Sequence, residues 1–135
     1  MKEKMVEKME KTEKKLTESI EDYIERIYLD FSQDHRGVRI TDLAAAMNVS
    51  KASANDAVKK LKVMGYVEHE RYGQIYLTDS GMDKGAEIYE KHCLITDFLS
   101  KVLDVTPEVA EHDACCIEHV ISDETFTKMK DYMHK

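Results

Sequence analysis

The sequence predicts a mainly α chain: a helix, two short helices at a tight turn, a small β-hairpin, and then a longer helical body. Three observations carry this. Apolar residues recur at helical spacing over most of the chain, and apolar and polar residues alternate, loosely, between Tyr66 and Leu77. A single proline and five glycines in 135 residues leave few breaks. That length suits one domain, or two small pieces sharing a core, and excludes a large multidomain enzyme. No apolar run approaches the roughly 18 residues of a membrane span. The Lys/Glu-rich start has no apolar signal core, so a cytoplasmic protein with no membrane partner is expected. The three cysteines, Cys93, Cys115 and Cys116, read as reduced thiols and not as a disulfide framework.

Residues 1–16 alternate Lys and Glu with little apolar content and form a charged extension, helical or disordered. Thr17 and Ser19 offer N-caps, with Asp22 as a capping-box-like partner of Ser19. Ile20, Tyr23, Ile24, Ile27, Tyr28 and Phe31 then predict a helix over about residues 18–33. Thr41 is suited to cap a short helix carrying Leu43, Ala44 and Met47. Asn48-Val49-Ser50 forms a turn, and Ser50 caps a helix that buries Ala54, Ala57, Val58 and Leu61. Gly65 suits the left-handed position after that helix. Two short helices around a three-residue turn make a helix-turn-helix, and the hairpin that follows, turning at Gly73, is its wing. Thr78–Gly81 opens a long helix over about residues 80–102, with a stripe of Ile88, His92, Ile95, Leu99 and Val102. Pro107 lies in the first turn of a helix that reaches about Ile121, with Ala110, Ala114, Ile117 and Ile121 inward. Ser122 caps a last helix whose first turn holds Asp123 and Glu124, as the helix dipole favours.

The formal net charge of −7 conceals a swing: residues 1–34 carry −3, residues 35–76 carry +3, and residues 77–135 carry −7. The basic block coincides with the helix-turn-helix, where phosphate would be met. Exposed positions on the second helix include Ser50, Lys51, Ser53, Asn55, Asp56 and Lys59. Short polar side chains with Lys at such an N-terminus can read base edges and grip phosphate. Arg39 and Arg71 of the same basic block extend the candidate DNA-binding set. Behind it, Cys115, Glu118 and His119 stand at i, i+3 and i+4 on one helix, a thiolate–carboxylate–imidazole half-site for a transition metal. His92 interrupts an apolar stripe, and Asp22 and Glu25 form an i, i+3 pair on the first helix. Singly, these have bland accounts: a small buried thiol, a core histidine, a solvated acidic face. Together, on three helices beside a winged helix, they point to a bound divalent ion.

The segments Glu21-Asp22-Tyr23-Ile24-Glu25-Arg26-Ile27-Tyr28, Lys91-His92 and Ala114-Cys115-Cys116-Ile117-Glu118-His119-Val120-Ile121-Ser122-Asp123-Glu124 resemble a known family. It comprises the metal-dependent transcriptional repressors typified by the diphtheria toxin repressor and the manganese transport regulator, and the resemblance spans about residues 17–131. It implies a winged-helix DNA-binding domain over 17–78 and a helical dimerisation and metal-binding domain over 79–135. It further implies a homodimer on a palindromic operator in double-stranded DNA, and repression of metal-uptake genes with divalent Mn(II) or Fe(II) as corepressor. Asp22, Glu25, His92, Cys115, Glu118 and His119 are the implied ligands. Cys115 is similar to the iron-responsive branch and Asp22 to the manganese-responsive branch, so the set is a hybrid. The chain also resembles the manganese branch in ending before an SH3-like third domain. Glu111 and Thr96 stand at two positions of the iron branch's ancillary site, with His112 and Asp97 each one residue off. No nucleophile–base–orienter set is readable, so no enzyme is expected. The rival reading is a winged-helix regulator governed by cysteine oxidation or a small ligand.

Overall fold

A computed structural model describes residues 20–31, 37–70 and 73–135. The expected caps Thr17 and Ser19, the extension 1–16 and Arg71 lie outside the described residues. The elements are α1 (residues 20–31), β1 (Val38–Arg39), α2 (Ile40–Met47), α3 (Lys51–Val63), β2 (Val67–His69), β3 (Gln74–Leu77), α4 (Asp79–Asp97), a π-helical turn (Phe98–Val102), α5 (Pro107–Ile117) and α6 (Asp123–Met133). They form two compact units, Ser19–Ala86 and Glu87–Lys135, with the boundary inside α4.

In the first unit, α1 buries Tyr23, Ile24 and Ile27, α2 buries Leu43 and Ala44, and α3 buries the expected Ala54, Ala57, Val58 and Leu61. Asn48 turns the chain with a left-handed φ of 55°, which Asn tolerates better than most residues. The Ser50 hydroxyl accepts from the Ser53 N–H at 3.1 Å, the expected cap. Gly65 takes φ 83° just past α3. The wing is as expected, but it belongs to a three-stranded antiparallel sheet in the order β1-β3-β2. Val38 faces Ile75 and Val67 faces Leu77, all four buried. Two residues are too few to show alternation, so β1 leaves no pattern in the sequence. It also explains why Thr41 is not the cap of α2. Arg39, extended at φ −78° and ψ 143° in β1, leads directly into the helix with no side-chain cap.

Thr78 fastens the end of the wing to α4. Its hydroxyl donates to the Gly65 carbonyl at 2.6 Å and accepts from the Gly81 N–H at 3.1 Å. Gly81 has no room for a side chain, because a Cβ would lie 2.0 Å from the Tyr66 carbonyl oxygen.

In the second unit, Ile88 and Ile95 of α4 and Ala110 and Ala114 of α5 are buried. The long helix does not run as one α-helix to residue 102. The Thr96 hydroxyl donates to the His92 carbonyl at 2.7 Å and the Ser100 hydroxyl to the Thr96 carbonyl at 3.0 Å. Hydroxyls that bond back one turn compete with the backbone ladder and loosen it. The last turn widens accordingly, with the Leu103 N–H on the Phe98 carbonyl, and Leu99 is half-buried while Val102 is exposed. α5 also ends earlier than expected, at Ile117. The N–H groups of Val120 and Ile121 both bond to the Ile117 carbonyl, and the chain then extends into the Ser122 cap of α6. Ile117 and Ile121 are therefore half-buried, not core. α6 is tied to α4 by Lys130 on Glu90 at 3.2 Å and by Lys91 over the Phe126 ring at 5.7 Å.

Candidate metal centre and nucleic-acid interface

The second unit gathers three sequence-predicted donors. His92 Nδ1, Cys115 Sγ and a Glu118 oxygen all lie within 4.8 Å of one another. His92 comes from α4, Cys115 from the last turn of α5, and Glu118 is the residue that closes α5. That early end decides the geometry. Glu118 is 3% exposed, while Cys115 and Cys116 are exposed, as is Cys93 on α4.

Glu118 is the hub. Its Oε2 lies 2.9 Å from His92 Nδ1, and its Oε1 lies 3.2 Å from His119 Nε2. The second approach is outside hydrogen-bond geometry, so Oε1 is buried without a hydrogen bond. A buried carboxylate oxygen in that state is costly unless something charged meets it. Cys115 Sγ completes the group at 3.7 Å from His92 Nδ1. First-row ions bind N, S and O ligands at about 2.0–2.3 Å, so neighbouring donors around an ion stand roughly 2.9–3.7 Å apart and opposite ones roughly 4–4.6 Å. The cluster fits a divalent transition metal in donor type, spacing and the unbonded oxygen. Its burial and the central role of Glu118 carry no signal in the sequence, since 26 residues separate it from His92.

Asp22 and Glu25 stand one turn apart on α1 of the first unit, beside the buried Tyr23 and Ile24. Burial pushes the Tyr23 phenol above its ordinary value.

On α3, Ser50, Lys51, Ser53 and Lys59 are exposed as expected, and Arg39 is exposed at the entry to α2. Asn55 is half-buried, because it sits at the edge of the inward stripe. Ser50 and Ser53 are bonded to each other at 3.0 Å as part of the cap. Ala52 is exposed one turn before Asp56, and an alanine carries no polar group to mark it in the sequence.

A winged helix in one chain with a compact N, S, O donor cluster defines a metal-responsive DNA-binding regulator. The chain belongs to the iron-dependent repressor family. Residues 15–75 match that family's N-terminal DNA-binding domain and residues 78–135 its metal-binding and dimerisation domain. An uncharacterized HTH-type transcriptional regulator of Methanocaldococcus jannaschii is 38% identical over 120 residues, covering 89% of this chain and 96% of its own length. The transcriptional regulator MntR of Escherichia coli O6:H1 is 34% identical over 118 residues, covering 87% of this chain and 75% of its own. Among solved structures, a manganese-dependent transcriptional repressor in complex with manganese superposes with a TM-score of 0.78 at 26% identity, over 85% of this chain and 52% of that one. The manganese regulator SloR does so at 0.74 and 28%, over 85% and 53%. The chain thus spans about half the length of these solved relatives. No helix among the described residues is long and apolar enough to cross a membrane.

Proposed function

We propose that this chain acts in the cytoplasm as a homodimeric repressor. It binds a palindromic operator when Mn(II) or Fe(II) is bound, and it silences metal-uptake genes. It is a regulator and not an enzyme. The observation that carries the reading is the His92–Cys115–Glu118 cluster, with one oxygen of the buried Glu118 unbonded, in a chain that also holds a winged helix. His119 adds a fourth donor beside it. An octahedral ion takes about six donors, so Asp22 and Glu25 are assigned as the remaining protein ligands, in keeping with their i, i+3 spacing and the resemblance of that segment. The ion, when bound, supplies positive charge to carboxylates that otherwise repel one another. Glu118 holds the His92 imidazole in place, and Cys115 must give up its proton to bind. Metal binds the DNA-competent state more tightly, and operator affinity follows as a population shift.

The working division is a charged extension over 1–16, a DNA-binding domain over 17–78 and a metal-binding body over 79–135. Arg39, Lys51, Lys59 and Arg71 are assigned to phosphate contact. Ser50, Ser53 and Asn55 are assigned to the groove-facing start of α3. The two carboxylates of α1 suit Mn(II), and the Cys115 thiolate suits the softer Fe(II).

Operator binding by fluorescence anisotropy, measured without metal, with Mn(II) and with anaerobic Fe(II), tests this. Tight binding in the metal-loaded samples alone is expected, and equal affinity in all three would sink the corepressor reading. The exposed thiols favour one rival, control by cysteine oxidation. That rival requires DNA affinity to follow oxidant and to ignore chelator.

A further inference from the structure

The outermost line of α3 differs from its set of short polar residues. Ala54, Ala57, Val58 and Leu61 face inward. At about 100° per residue, the positions opposite them are Ala52, Asp56, Lys59 and Val63. All four are exposed, Val63 by 89%. The hydroxyls of Ser50 and Ser53 are engaged with each other, and Asn55 is half-buried. The Asp56 carboxylate, by contrast, makes no hydrogen bond or ion pair among the described residues. Lys59 and Lys60, both exposed, flank it one turn on, and Lys51 opens the same helix.

An unpaired carboxylate in the middle of a phosphate-facing helix is repelled by DNA unless a base donor meets it. In the major groove, cytosine offers its N4 amino group with no adjacent acceptor of its own. Adenine pairs its N6 donor with the N7 acceptor, while guanine and thymine present O6, N7 and O4 acceptors. We propose that Asp56 reads a cytosine in each operator half-site by accepting a hydrogen bond from its N4 amino group. Ala52, one turn earlier, keeps the helix slim enough to seat deeply, and these lysines carry the phosphate contacts. The inference rests on the DNA-binding reading above.

The test is selection of bound sequences from a duplex library with randomised half-sites. It uses the full chain with Mn(II) and, separately, with anaerobic Fe(II). The wild type should fix cytosine at one symmetric pair of positions, and replacing that cytosine should weaken binding about tenfold or more. Asp56→Asn should move the preference there toward adenine, because an amide pairs with N6 and N7 together. Asp56→Ala should lose preference at that position alone, and it should bind unrelated DNA more tightly at low salt, since a negative charge is gone. A merely structural role would weaken all sequences alike. That result, or a wild-type consensus from both variants, overturns the assignment. A wild-type protein that selects no sequence with either metal would instead overturn the DNA-binding reading itself.

Discussion

The two units hold their apolar residues differently. In Ser19–Ala86, buried apolar side chains run through α1, all three strands, α2, α3 and the approach to α4, and they include Ile24, Ile27, Leu43, Leu61 and Ile75. The large apolar residues left exposed there are Val49, Val63 and Met64. In Glu87–Lys135 the buried apolar set is Ile88, Ile95, Ala110 and Ala114, and Tyr89, Val102, Leu103, Val109, Val120 and Tyr132 are exposed. The first unit carries the larger buried apolar set. The second shelters a carboxylate and leaves apolar side chains exposed, in a segment that matches a metal-binding and dimerisation domain.

Truncation should separate the two most sharply. Leu61→Ala, at a fully buried position, is expected to cost about 2–5 kcal/mol in urea unfolding. Val109→Ala, at a half-exposed one, should change the unfolding of dilute protein by within about 0.5 kcal/mol. Val109→Glu should nevertheless raise the dimer dissociation constant seen by sedimentation. Equal costs at positions 61 and 109, with no change in self-association, would erase the contrast.

Metal should stabilise through the second unit's donors. Saturation at a hundredfold over Kd is worth about 2.7 kcal/mol to the wild type, read as a rise in melting temperature. Glu118→Gln and His92→Ala should each remove most of that rise without unfolding the apo protein. The wild-type metal affinity should strengthen with pH, since thiol and imidazole bind only when deprotonated. A full thermal shift in Glu118→Gln would remove Glu118 from the ligand set.

The caps offer a finer comparison, because the same device occurs once in each unit. Ser50 accepts from the Ser53 N–H at 3.1 Å and Ser122 from the Thr125 N–H at 3.2 Å. Each Ser→Ala change should cost about 1 kcal/mol. The Ser122 cost should depend on protein concentration if the second unit's folding is linked to dimerisation, and chemical denaturation at two concentrations reads this directly.

The smallest effect concerns the first unit at alkaline pH. Burial raises the Tyr23 phenol above its ordinary value near 10, so the fold holds it neutral. The stability tied to this is full below the unfolded-state value and is lost as pH rises through the raised folded one. Tyr23→Phe should therefore lessen the decline in stability above about pH 10. A decline unchanged in Tyr23→Phe would assign it to other groups.

Local chemistry in the sequence determined most of the elements. The stripes of α1, α3 and α4, the Ser50 and Ser122 caps, the left-handed Gly65 and the Gly73 turn each depend on a few neighbouring residues, so each is legible without a partner. The Cys115, Glu118 and His119 donors were legible for the same reason, since chain continuity holds them together. Only packing decided the rest. β1 exists because Val38 and Arg39 meet β3, and α2 begins at Ile40 as a consequence. The early end of α5 buries Glu118 and sets it against His92, a residue from another helix. Which α3 side chains are engaged in the cap and which are open was likewise a matter of placement. Spacing along a chain tells which groups share a segment, but whether a carboxylate is solvated or buried between imidazoles depends on residues far away in sequence.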